Sequence, residues 1–93
     1  MSAIDFPELV KIDPTASIGD GCNVGTRPFY YKKGEAVNFK PVIIGAGSII
    51  HSGTNICCGI ERPTIIGENC RIDSLCHIAH DCEIGDGTIM AAG

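Results

Sequence analysis

A chain of 93 residues with a net charge of −4 and only 7 Lys and Arg argues against a nucleic-acid surface, which needs clustered cations to neutralise phosphates. No apolar run approaches the length of a bilayer span, and the opening MSAIDFPELV lacks the basic and apolar regions of a signal peptide, so a cytoplasmic protein with reduced thiols is expected. Twelve Gly and five Pro with 19% charged residues, set among many Ile and Val, favour short strands and tight turns over disorder.

Residues 1–11 carry Phe6, Leu9 and Val10 and are expected to cap the rest of the chain as a short strand or turn. From Ile12 an aliphatic residue opens every hexad: IDPTAS, IGDGCN, VGTRPF, then IGAGSI, IHSGTN, ICCGIE, then IGENCR, IDSLCH, IAHDCE, IGDGTI and the start of another at Met90. A period of six fits neither a helix nor uniform strand alternation, but it suits a flat strand followed by a corner. Three such sides close a coil of roughly eighteen residues, and coils stacked about 4.8 Å apart bury their opening aliphatics in axial columns.

Two interruptions, at about 30–43 and around Arg62 to Ile65, are expected to loop out between hexads. With both removed, the columns are Ile12, Ile44, Ile66, Ile84; Ile18, Ile50, Ile72, Met90; and Val24, Ile56, Ile78. The fold class is therefore all-β, a triangular solenoid of about three and a half coils over residues 12–93, with an inserted loop after the first coil. The fifth hexad position is small at Ala16, Cys22, Ser48, Thr54, Cys70, Cys76, Cys82 and Thr88; the four cysteines among these are expected to be core filler, not disulfides or metal ligands.

The register also sets polar residues side by side. An offset of twenty-two residues places His51 beside Asp73, Asn55 beside His77 and Cys58 beside His80. His80, third in its hexad and near a corner, is the candidate base because imidazole exchanges protons near neutral pH, and Asp73 seven residues earlier is the candidate orienter. A solvated His with an incidental Asp accounts for the same geometry, and a Cys58/His80 nucleophile is a third reading. The first interruption gathers Phe29, Tyr30, Tyr31 and Phe39 with Arg27, Lys32 and Lys33, so it is a candidate surface for an aromatic base and a diphosphate, or for packing across the solenoid.

The hexads resemble those of the hexapeptide-repeat acyltransferases, a resemblance that implies a left-handed parallel β-helix and a homotrimer with sites between subunits. IDSLCHIAHDCEIGDGT is similar to the segment that carries the general base in the UDP-3-O-acylglucosamine N-acyltransferases of lipid A biosynthesis. That resemblance assigns His80 as base and Asp73 as its accompanying aspartate, while HIAHDC is equally similar to the UDP-N-acetylglucosamine O-acyltransferases, which implies a substrate contact for His77. His51 and Asn55, register neighbours of Asp73 and His77, are further candidate substrate contacts, with Phe29, Tyr30, Tyr31 and Lys32 toward a nucleotide-sugar acceptor. Cys57 and Cys58 stand where an Asp-Arg pair is expected. The implied reaction takes an acyl group from a CoA or acyl-carrier-protein thioester, with no tightly bound cofactor and no metal. The alternatives are a silent trimeric scaffold or fragment and, more weakly, a zinc-dependent carbonic-anhydrase-like protein, whose paired histidines five residues apart are not matched by His51, His77 and His80.

Overall fold

Isoleucine at every sixth position forms eleven short strands in the computed structural model, which describes residues 6–28 and 38–92. After a 3-10 turn at Pro7–Leu9 come β1 (Val10–Ile12), β2 (Ser17–Ile18), β3 (Asn23–Thr26), β4 (Val42–Ile44), β5 (Ile49–Ile50), β6 (Asn55–Cys57), β7 (Thr64–Ile66), β8 (Arg71–Ile72), β9 (His77–Ile78), β10 (Glu83–Ile84) and β11 (Ile89–Met90). Each strand pairs in parallel with the third strand before or after it, giving three sheets in the orders β1-β4-β7-β10, β2-β5-β8-β11 and β3-β6-β9. Among the described residues no helix is long and apolar enough to cross a membrane.

The partners are those of the six-residue register. Ile12 pairs with Ile44, Ile44 with Ile66, and Ile66 with Ile84; Ile18 with Ile50, Ile50 with Ile72, and Ile72 with Met90; Val24 with Ile56, and Ile56 with Ile78. Ile44, Ile50, Ile56, Ile66, Ile72 and Ile78 are buried along the axis of a body 34 × 22 × 21 Å. The core is a line of side chains in which each residue packs against those one layer above and below.

Two boundaries differ from expectation. Val42 and Ile43, placed in the loop at 30–43, belong to β4, because Val10 and Lys11 ahead of Ile12 pair with them and extend the strand backward. The second interruption likewise ends by Pro63, since Thr64 and Ile65 are already paired in β7. Along the first column 32, 22 and 18 residues separate Ile12, Ile44, Ile66 and Ile84, and both surpluses fall in the connection from the third sheet back to the first.

The corners explain two other positions of the hexad. The fourth residue adopts left-handed backbone at Gly21, Gly47, Gly53, Gly87, Asn69, Leu75 and Asp81, the conformation that turns the chain from one face to the next. The fifth residue turns inward and donates a hydrogen bond to a carbonyl in the next layer: Cys22 Sγ to His51 O (3.0 Å), Ser48 Oγ to Gly67 O (2.6 Å), Thr54 Oγ1 to Asp73 O (3.0 Å), Cys70 Sγ to Gly85 O (3.2 Å) and Cys76 Sγ to Ala91 O (3.2 Å). All six cysteines are free. Cys22, Cys70 and Cys76 thus act as weak donors that tie adjacent layers as well as small hydrophobes.

Phe6 closes the first layer from below. Its ring lies 5.0 Å from that of Phe39, and the Arg27 guanidinium sits 5.8 Å from its centroid.

Candidate functional site

The edge between the third and first sheets holds His80 within a set of polar contacts. The chain leaves β6 through Cys58 and Gly59, where a two-way backbone bridge with Lys40 holds it: Lys40 N–H donates to Gly59 O at 2.8 Å and Gly59 N–H to Lys40 O at 3.0 Å. It then turns so tightly that a side chain at Gly59 would collide with the carbonyl of Arg62. This turn points three successive backbone N–H groups, of Ile60, Glu61 and Arg62, at Asp81 Oδ1 in the next layer, at 2.7, 3.1 and 3.2 Å. Arg62 adds its side chain, with Nε donating to Asp81 O at 3.0 Å, and Asp81 N–H donates to Thr64 Oγ1 at 3.1 Å.

Asp81 passes that order on to His80. Its other oxygen, Oδ2, lies 3.2 Å from His80 Nδ1, with 31% of the imidazole side chain exposed and 20% of the carboxylate side chain. A neutral ring that donates from Nδ1 to a carboxylate keeps its basic lone pair on Nε2, an arrangement able to accept a proton there. Partial burial pushes the Asp81 carboxyl upward, but the N–H groups of Ile60 and Arg62, the imidazole of His80 and the N–H of Glu61 outweigh it and hold the group down at about 2.

The depressed carboxyl makes stability depend on pH. A carboxyl lowered in the folded state contributes stability that is complete above its ordinary value of 3.8 and is lost as pH falls through about 2. Asp81→Asn is therefore expected to lower unfolding free energy by about 1–2 kcal/mol at pH 6, allowing for partial solvent access. The gap to the parent should close between about pH 4 and pH 2. Urea unfolding across that range checks it, and a gap independent of pH would show that the carboxylate is not held as described.

The other sequence candidates fall in three places. His77 (β9) pairs with Asn55 (β6) as the offset of twenty-two residues requires, with Asn55 Nδ2 3.3 Å from His77 Nδ1. Asn55 Nδ2 also donates to Thr26 Oγ1 at 3.2 Å and approaches Cys57 Sγ at 3.7 Å, forming a polar ladder on the outer face of the third sheet. His51 and Asp73 lie at the edge between the second and third sheets, where with Arg71, Ile89, Met90 and Ala91 they line an open groove of about 330 Å³. Phe29, Tyr30, Tyr31 and Lys32 lie outside the described residues.

Within one chain the carboxylate that meets His80 is that of Asp81, not Asp73. Seven residues back along a six-residue repeat is the preceding corner, and there Asp73 Oδ1 accepts the N–H of Ser74 at 2.7 Å. Cys58 is fully buried, and among the described residues no three His, Cys, Asp or Glu side chains gather as a metal ligand set. Asp81 and Arg62 were missing from the sequence candidates. The signals for Asp81 were its place directly after His80 and an acidic residue at the left-handed fourth position; Arg62 carried no signal beyond lying in the second interruption.

Residues 63–93 match the family model described as bacterial transferase hexapeptide (six repeats). Among curated proteins, the chain is 40% identical over 50 residues to a UDP-3-O-acylglucosamine N-acyltransferase of Dechloromonas aromatica (strain RCB), covering 54% of the chain and 14% of that protein. It is 35% identical over 77 residues to the protein of the same name from Hydrogenovibrio crunogenus (strain DSM 25203 / XCL-2), covering 77% and 22%. It is 44% identical over 46 residues to an acyl-[acyl-carrier-protein]–UDP-N-acetylglucosamine O-acyltransferase of Bartonella bacilliformis (strain ATCC 35685 / KC583 / Herrer 020/F12,63), covering 50% and 16%. The matches thus span 22% or less of these three relatives' own length. No solved structure matches the chain at a significant level.

Proposed function

We infer that this chain, a hexapeptide-repeat protein of the bacterial transferase kind, supplies the base of an acyltransferase acting on the amine of a nucleotide-linked amino sugar. The observation that carries the reading is the His80–Asp81 pair, in which Nδ1 is engaged by a carboxylate that is itself fixed by three backbone N–H groups. His80 Nε2 takes a proton from the amine as its nitrogen attacks the carbonyl of an acyl thioester on CoA or acyl carrier protein. The C–N bond forms, the C–S bond breaks, and the carrier leaves as its thiol. Backbone N–H groups stabilise the oxyanion, and no covalent enzyme intermediate or tightly bound cofactor is needed.

The names of the relatives support both reactants: a UDP-linked glucosamine derivative as acceptor and, in the Bartonella protein, acyl-[acyl-carrier-protein] as donor. We assign His77 and Asn55, neighbours across β9 and β6, to hydrogen-bonding the acceptor sugar. The parallel sheets are consistent with left-handed winding of about three and a half coils, and we assign a homotrimer in which the His51–Asp73 groove of one copy faces the His80 edge of the next. In that assembly the charge of Asp73 stabilises the imidazolium that forms on the His80 of a neighbour; sedimentation of the chain as a monomer would remove it from the reaction.

The deciding experiment supplies the chain with a UDP-linked 2-amino sugar and an acyl-CoA or acyl-carrier-protein donor, and detects amide product by mass spectrometry. Product that depends on both reactants is expected. Its absence with donors from short to long acyl chains would overturn the reading in favour of a silent scaffold.

A further inference from the structure

Arg62 stands at the His80 edge without a task in acyl transfer itself. Its backbone N–H and its Nε both donate to Asp81, at 3.2 and 3.0 Å, so the root and the neck of the side chain are tied to the residue that orients the base. The terminal Nη groups donate to no described residue. A guanidinium held by Nε alone presents its two-nitrogen edge outward, and that planar fork matches two oxygens of a phosphate. The tight turn at Gly59 and the convergence of Ile60, Glu61 and Arg62 on Asp81 leave the arm little freedom at its base.

Charge sharpens the point. The chain carries −4 overall, so an anionic substrate meets a repulsive surface unless a cation stands near the reacting atoms. Arg62 is such a cation, attached to the same aspartate as the imidazole. Glu61, exposed next to it, is the opposing charge and makes no ion pair with it.

We propose that Arg62 binds a phosphate group of a substrate and so sets where the reacting atoms stand relative to His80. The acyl-transfer reading enters only in naming the bearer, because both reactants carry phosphate: the diphosphate of the nucleotide sugar and the phosphate of the pantetheine arm. The anion contact itself does not depend on it.

The test has two arms. In the first, inorganic pyrophosphate is titrated into the full 93-residue chain and binding is read by NMR. Arg62→Gln, which keeps the backbone N–H to Asp81, is expected to weaken binding about tenfold, the effect of losing one charge-assisted fork. Arg62→Lys should recover part of the loss, and Glu61→Gln should tighten binding two- to threefold. In the second arm, Arg62→Gln should raise KM by a similar factor for one reactant while kcat changes less than twofold. A raised acceptor KM assigns the diphosphate, and a raised donor KM the pantetheine phosphate. Pyrophosphate binding equal in parent and Arg62→Gln, or too weak in the parent to detect, overturns the proposal whatever the transfer assay shows; transfer that fails while Arg62-dependent pyrophosphate binding persists overturns the acyl-transfer reading alone.

Discussion

His80→Ala is expected to lower acyl transfer by roughly 10²–10⁴-fold, the usual contribution of a positioned general base. The loss should appear in kcat, with KM for donor and acceptor within a fewfold of the parent, because the imidazole acts on the proton released during attack more than on bound ground states. The variant should fold. His80 is third in its hexad, points away from the axial columns and keeps about a third of its side chain in solvent, and the three N–H groups on Asp81 Oδ1 do not involve it. A circular dichroism spectrum and melting curve close to the parent's separate lost chemistry from lost structure. If His80→Ala retains half or more of the parental rate, the base lies elsewhere.

Ile72→Ala is expected to cost about 2–5 kcal/mol of unfolding free energy, the range for removing most of a large aliphatic side chain from a packed interior. Ile72 is wholly buried between Ile50 below and Met90 above. In a globular core a deletion can be filled from many directions. A linear core offers only the layers above and below and the two facing columns, and these residues are pinned by their own ladders. For a chain of this length each kcal/mol shifts the melting midpoint by about 4–8 °C, so a fall of about eight degrees or more is the expected reading. The control is Glu83→Ala in β10, where the side chain is exposed outside the His51–Asp73 groove and the change should stay within about 0.5 kcal/mol. Equal costs at the two positions would contradict the inward and outward assignment on which every column depends.

The columns could be read from the residues because burial obeys a strictly local rule here: the first residue of each hexad faces the axis whatever lies in other layers. The neighbours His51–Asp73 and Asn55–His77 came from the same count, since they need only the offset between two layers. Strand limits were less accessible. Val42 and Ile43 are strand because Val10 and Lys11 precede Ile12, a fact about the partner strand and not about their own hexad.

His80 could be singled out from the residues, but the carboxylate that meets it in the fold could not. What gives Asp81 its role is the return of the Ile60–Arg62 backbone onto one carboxylate oxygen, a matter of turn geometry twenty residues away that no spacing rule reports. Cys22, Cys70 and Cys76 show a similar gap. Their size told of an inward place, but their hydrogen bonds to carbonyls in the next layer depend on the distance between layers.

The unequal circuits of 32, 22 and 18 residues have a consequence for how such a molecule can change. At two of its three edges every residue is committed to a register shared with the floors on either side, and one added amino acid there would turn buried groups outward. The remaining edge has absorbed all the extra length and also holds the imidazole. Novelty in what the protein recognises can therefore accumulate along a single seam while the prism behind it keeps its shape.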